Sequence, residues 1–304
     1  DKFIADDLKK CKSKLEKSIQ KLSDNKLKYA LIKLLESTKD MPYSYNSFGY
    51  IEDLEKITPN DLYKYYQSVL ANDFVDVFVV GDVDSNAIKD IFKKYFKINT
   101  FKKYKKDILV DELTTRKRIK KITENYQANQ SQLTILCTLN HLTDYERKYV
   151  LLVYNEILGG SSNSLLFDTV REKNSYAYYI NSNQKAYDNI LMIYSGIEPG
   201  NSENVLKLIK KTLQEISKGK FNDDVFESAK KTIVASIKAS TDSPNGIINT
   251  YYAKILVNSD DFEKRIENIE KITKEDIMAV SKKISMHTVY LLEGQNEEET
   301  DEKD

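Results

Sequence analysis

Apolar residues recur at three-and-four spacing over 201–218, where Val205, Leu208, Ile209, Leu213 and Ile216 share one face. The pattern repeats over 222–240 through Phe226, Ala229, Ile233 and Ile237. That period is the repeat of an amphipathic helix. The same reading predicts helices over 5–23, 26–37, 59–70, 85–96 and 245–257. Short runs rich in β-branched and aromatic residues predict strands at 75–80, 132–138, 176–181, 190–197 and 288–293. Thr143 and Glu146 cap a further helix that ends at Gly159-Gly160. Blocks of strands followed by blocks of helices define an α+β chain.

Two stretches repeat. Leu54-Glu-Lys-Ile-Thr58 and Ile269-Glu-Lys-Ile-Thr273 each lead into a helix, with Asp61 and Asp276 three residues beyond the threonine. Thr and an acid at that spacing form a capping box, and Pro59 occupies a first helical position where its missing N–H costs nothing. Each helix leads to an apolar strand that ends in glycine, at Gly81 and Gly294. The offsets, 273 − 58 = 215 and 294 − 81 = 213, stay nearly constant, as duplication requires. The second copy spans 115–294, behind a Lys-containing linker at 101–114. The first, 1–100, holds only the back half of the pattern, so the chain is expected to begin mid-domain, with an incomplete sheet that needs covering. The charged tail 295–304 is expected to be solvated.

The 304 residues carry 47 basic and 47 acidic side chains, and that balance gives no electrostatic footprint for nucleic acid or an anionic membrane. No apolar run reaches the roughly 20 residues of a membrane span, and the first residues lack the apolar core of a signal peptide. Cys11 and Cys137 lie far apart and form no CxxC, which favours free thiols in a reducing, cytoplasmic setting.

Candidate chemistry is sparse. A catalytic zinc needs three protein ligands and an open position. The only histidines are His141 and His287, and neither has a Glu-His partner at helical spacing. Asp144 and Glu146 flank His141, but Glu146 already has a use in the helix cap. There is no Gly-x-Ser-x-Gly elbow, and Gly159-Gly160 is not followed by the Lys-Ser/Thr of a P-loop. No metal ligand and no catalytic residue is therefore expected in this chain.

The stretch Leu158-Gly-Gly-Ser-Ser-Asn-Ser-Leu-Leu-Phe167, followed by Val170-Arg-Glu-Lys-Asn-Ser-Tyr-Ala-Tyr178, resembles the C-terminal-domain signature of the insulinase/pitrilysin (inverted-zincin) metallopeptidases. Gly196 also fits. Asp24-Asn25-Lys26, Pro42-Tyr43, Phe48-Gly49 and Val79-Val80-Gly81-Asp82 are similar to the back half of the family's first domain. The layout resembles non-catalytic members of bacterial pairs linked to modification of elongation factor P.

The resemblance implies two related insulinase-like domains, each an antiparallel-rich sheet covered by helices, enclosing a peptide. It implies a zinc-free homologue beside a zinc-bearing insulinase-like partner or a second copy, with zinc held only in the partner or in sequence upstream. It makes Arg171 and Tyr178 donors to a peptide backbone, with Gly159 and Gly160 in the adjoining loop. The family's distal zinc-ligand region falls near Glu16. Two other readings stay open: a piece of an active zinc peptidase whose HxxEH motif lies upstream of Asp1, or an assembly subunit that grips no peptide.

Overall fold

The computed structural model describes residues 3–39, 41–96 and 112–295. These fall into two compact units. One comprises 3–21, 48–96 and 238–262; the other comprises 22–39, 41–47, 112–237 and 263–295. Most of the predicted linker and nearly all of the predicted tail lie outside the described residues.

The larger unit is built on one five-stranded sheet: β1 (Lys120–Gln127), β2 (Ser131–Leu139), β3 (Ala177–Lys185), β4 (Ile190–Ile197) and β5 (Ile284–Gln295), in the order β1-β5-β2-β4-β3. β1 runs parallel to β5, and every other pairing is antiparallel. Every residue of β2 is buried, so both faces of the sheet are covered at its centre. Leu136, Ile190, Met192, Tyr290 and Leu292 pack with Ala30 and Leu34 of helix Lys26–Glu36. The intervening residues Leu133, Ile135, Leu191 and Ile193 are also buried. Helices Leu151–Asn155, Ser202–Ser217 and Lys274–Ser281 bury Leu151, Tyr154, Ile209 and Ile277 in the same unit.

Two features differ from the sequence reading. β1 was not anticipated, because only Ile122 and Tyr126 in its eight residues are large and apolar; pairing with β5 makes it a strand. Helix Lys26–Glu36 was expected to belong with the first copy, yet its apolar face closes the sheet of the second. Tertiary burial decides that assignment, and local periodicity carries no information about it. The helix is anchored by a carboxylate clamp: Glu124 on β1 accepts from the hydroxyls of Tyr29 (2.8 Å) and Tyr290 (2.5 Å). Burial first, then Glu124, pushes the Tyr29 phenol up to about 12.

In the smaller unit the helices Ala5–Gln20, Pro59–Asn72, Ser85–Tyr95 and Pro244–Val257 bury no residue fully. The predicted strand 75–80 is not a strand here. It has no strand partner among the described residues, and Val75, Val77, Val79 and Val80 are 40–47% exposed. An extended segment becomes a strand only when its N–H and C=O groups find a ladder. Val77, Val79, Ile88, Phe92 and Phe96 instead line an apolar groove of about 420 Å³.

Both capping boxes form. Thr58 accepts from the Asp61 amide and Thr273 from the Asp276 amide, each at 3.2 Å, and each carboxylate returns to the threonine N–H. The two boxes are thus alike as local structure, although the segments that follow them, 75–80 and β5, differ in burial.

Candidate functional site

The helix that precedes the glycine pair is capped as expected. Thr143 Oγ1 accepts from the Glu146 amide, and Glu146 accepts from the Thr143 amide at 2.7 Å. Lys283 adds an ion pair to both Glu146 oxygens, at 2.8 and 2.7 Å. The helix opens and closes in π turns, Glu146–Val150 and Glu156–Gly160. Arg147 on the first of these is buried and donates to the carbonyl of Ala186 and to Asn189 Oδ1 (2.6 Å), which fixes the β3–β4 turn.

Gly159 has a packing reason to be glycine. A Cβ there would lie 2.8 Å from the backbone nitrogen of Ser182 on β3. Ser182 Oγ in turn donates to Asn155 Oδ1 at 2.9 Å, so the helix end is laced to the strand. A Cβ at Gly160 would meet the Glu156 carboxylate and the Asn155 carbonyl. Gly159 is therefore a close contact between helix end and edge strand, whereas Gly160 is crowded by its own helix.

Arg171 lies in a third π turn, Phe167–Glu172. Its guanidinium stacks over the Phe167 ring, 4.7 Å from the centroid, and approaches Glu172 at 3.8 Å. The turn is closed by Ser175 N–H to the Arg171 carbonyl (3.0 Å) and Tyr176 N–H to the Val170 carbonyl (3.1 Å), with Ser175 left-handed at φ 53°. These are the two bonds of a Schellman cap, each reaching one residue further, as a wider π turn requires.

Tyr178 follows at the start of β3. Ala177 pairs with Ile197 and Tyr179 with Gly196, so Tyr178 is the extra residue of a β-bulge, and it is 53% exposed. Tyr179 turns back over Gly196, where any Cβ would collide with its ring, and donates to Gln132. Burial pushes the Tyr179 phenol up to about 12. The structure thus presents two donors, a guanidinium and a phenol, on one short segment of an edge strand and its preceding turn. Phe167 belongs to the motif read from sequence, but its stacking under Arg171 was not anticipated. Its position four residues before Arg171 was the available signal.

Neither histidine fits a zinc site. His287 is buried on β5, where Nε2 accepts from Arg116 Nε (2.8 Å) and Nδ1 contacts Thr288 Oγ1 (2.8 Å), so both ring nitrogens are engaged. Burial, then the charge of Arg116, lowers its pKa to about 4. His141 is exposed, 4.0 Å from Glu112. Glu16 is exposed on its helix and accepts from Gln20. Among the described residues no group of three His, Cys, Asp or Glu side chains is placed to hold a metal ion. Both cysteines are free; burial raises the Cys137 thiol to about 12. No helix among the described residues is long and apolar enough to cross a membrane.

A helix-covered mixed sheet with a Gly-Gly helix end against its edge strand defines an α+β protein of the insulinase-like class. Residues 56–233, more than half of the chain, match the family model described as "Peptidase M16 inactive domain", and the chain belongs to that family. It is 33% identical over 289 residues to "Probable inactive metalloprotease YmfF" of Bacillus subtilis, covering 93% of this chain and 66% of that protein. It is 28% identical over 210 residues to "Uncharacterized zinc protease YmxG" of the same organism, covering 67% of this chain and 50% of that one. The chain therefore spans between half and two thirds of these relatives' length. Among solved structures, a conserved protein from Enterococcus faecalis V583 superposes with a TM-score of 0.88 at 27% identity, covering 97% of this chain and 70% of that one.

Proposed function

We propose that the chain is a catalytically silent M16 homologue that cradles a polypeptide in the cytoplasm and works beside a zinc-bearing M16 partner. The observation that carries this reading is the bulge at Tyr178. It turns a phenol outward on an edge strand, seven residues from an exposed, ring-stacked guanidinium. An edge strand offers unpaired backbone groups to an extended peptide, and Arg and Tyr donors beside it can bind that peptide's carbonyls. Silence is supported by the poor fit of both histidines to zinc and by the word "inactive" in the names of the family model and of YmfF. Pairing follows from the resemblance to paired family members. Two free cysteines fit a reducing compartment.

The test is peptide binding by the assembled protein, with and without its zinc-bearing relative, in wild type, Arg171→Ala and Tyr178→Phe. Loss of one charge-assisted hydrogen bond at Arg171 is expected to weaken binding about tenfold. Unaltered binding in both variants would remove the cradle and leave an assembly subunit. Zinc bound stoichiometrically by the complete gene product, with chelator-sensitive cleavage, would replace silence with an active peptidase.

A further inference from the structure

Gln132 on β2, Gly196 on β4 and Tyr179 on β3 stand in one row across the sheet, since Gly196 pairs with both of the others. The missing side chain at Gly196 leaves a notch in that row, and two groups fill it. A Cβ there would collide with the Tyr179 ring and lie 2.6 Å from Gln130 Nε2. Through the notch the Tyr179 hydroxyl reaches across β4 and donates to Gln132 Oε1, and Gln132 Nε2 donates to Gln130 Oε1 at 3.2 Å. Gln132 is 3% exposed, so these bonds are what satisfies its amide. The turn that carries Gln130 is itself held: the Tyr126 hydroxyl donates to the Gln130 carbonyl (2.8 Å), and the Gly294 amide donates to Ser131 Oγ (2.9 Å). Ser195 Oγ donates to the Tyr179 carbonyl at 2.8 Å. Because Ala177 pairs with Ile197, an unbulged register would pair Tyr178 with Gly196 instead. The tyrosine seated in the notch therefore decides which of the two is exposed.

We propose that Gln132 and Gly196 are positioning residues for the Tyr178 phenol: by seating Tyr179 in the notch they hold the bulge and keep Tyr178 exposed on the edge strand. This inference rests on the cradle reading of Tyr178. A bulge leaves its extra residue without a ladder partner while it re-aims a side chain, so contacts outside the ladder must hold it. The row across β2, β4 and β3 supplies them. A phenol carried on a fixed bulge has less freedom to lose on gripping a peptide than one on a loose strand end.

Fluorescein-labelled, reduced and carboxymethylated α-lactalbumin, a permanently unfolded polypeptide, would be titrated into the full chain as wild type, Tyr178→Phe, Gln132→Met and the double variant of both. Each single change is expected to weaken binding about fivefold, and the double variant no further, because both act through one hydroxyl. Gln132→Glu keeps an acceptor for Tyr179 and should restore wild-type binding. Losses that multiply in the double variant would overturn the inference. Amide chemical shifts of the unliganded chain separate it from the cradle reading. Shifts at Tyr178 in Gln132→Met that revert in Gln132→Glu, with Tyr178→Phe binding as wild type does, would keep the positioning and remove the cradle. Unmoved shifts at Tyr178 in Gln132→Met would overturn the positioning, whatever the binding. Should Gln132→Met unfold, Tyr179→Phe/Gln132→Met removes donor and acceptor together, orphans neither partner and carries the same comparison.

Discussion

Tyr178 and Tyr179 are adjacent on β3 and have opposite environments. The bulge exposes Tyr178, whereas Tyr179 covers Gly196 and donates to Gln132. Stability and binding should therefore separate between them. Tyr178→Phe is expected to leave the free energy of urea unfolding within about 0.5 kcal/mol of wild type. Tyr179→Ala should cost about 3 kcal/mol, through lost burial and an unpaired Gln132. Equal costs would mean that the bulge does not divide the two roles.

Gly159→Ala forces a methyl group to within 2.8 Å of the Ser182 nitrogen, so the helix end must move off β3. Chemical denaturation should register a loss of about 1–3 kcal/mol, the usual range for overpacking. A neutral substitution would show that this contact is not tight.

The Glu124 clamp predicts a larger loss than a surface carboxylate would give. Replacing Glu124 by alanine leaves the Tyr29 and Tyr290 hydroxyls without their acceptor. A destabilisation of about 3 kcal/mol is expected, from two hydrogen bonds to a charged group. Glu203→Ala, which breaks an exposed pair with Lys121, serves as the control and should cost less than about 1 kcal/mol.

His287 predicts an acid limb of the stability curve. Its folded pKa of about 4 lies below the unfolded value near 6.5, so the unfolded chain binds the extra proton between those values. The stabilisation is complete above pH 6.5 and is lost as pH falls towards 4. The slope approaches about 1.4 kcal/mol per pH unit for one proton. Urea titrations at pH 7 and pH 4.5 should show His287→Gln losing less stability over that interval than wild type. Parallel losses would contradict the assignment.

Segment 75–80 and β5 are sequence counterparts with opposite burial, and amide exchange should report it. Amides at 289–292 are expected to exchange slowly, and those at 75–80 to exchange at nearly unprotected rates in the isolated chain. Protection at 75–80 that appears only on adding the zinc-bearing relative would locate the interface there. Strong protection without it would show that the segment is already paired.

Much of this was legible from the chain. The boxes at Thr58/Asp61, Thr143/Glu146 and Thr273/Asp276 depend on residues three apart, and all three form. β4 was readable because a strand buried along nearly all its length carries an apolar run, here Ile190 to Tyr194. β1 was not, because an edge strand with alternate exposed positions carries few apolar residues. Phe167 stood inside the quoted motif, but that its ring carries the Arg171 guanidinium is a side-chain contact that a linear motif does not record.

The sequence by itself determined the helix starts, the duplicated signature, the free cysteines and the family resemblance, because each depends on near neighbours or on a linear motif. Only the tertiary structure decided that helix Lys26–Glu36 covers the five-stranded sheet, that 75–80 finds no strand partner among the described residues while β5 lies between two strands, and that Tyr178 faces out. Those outcomes depend on which distant backbone supplies hydrogen bonds and which apolar face finds a partner, and local pattern holds no record of either.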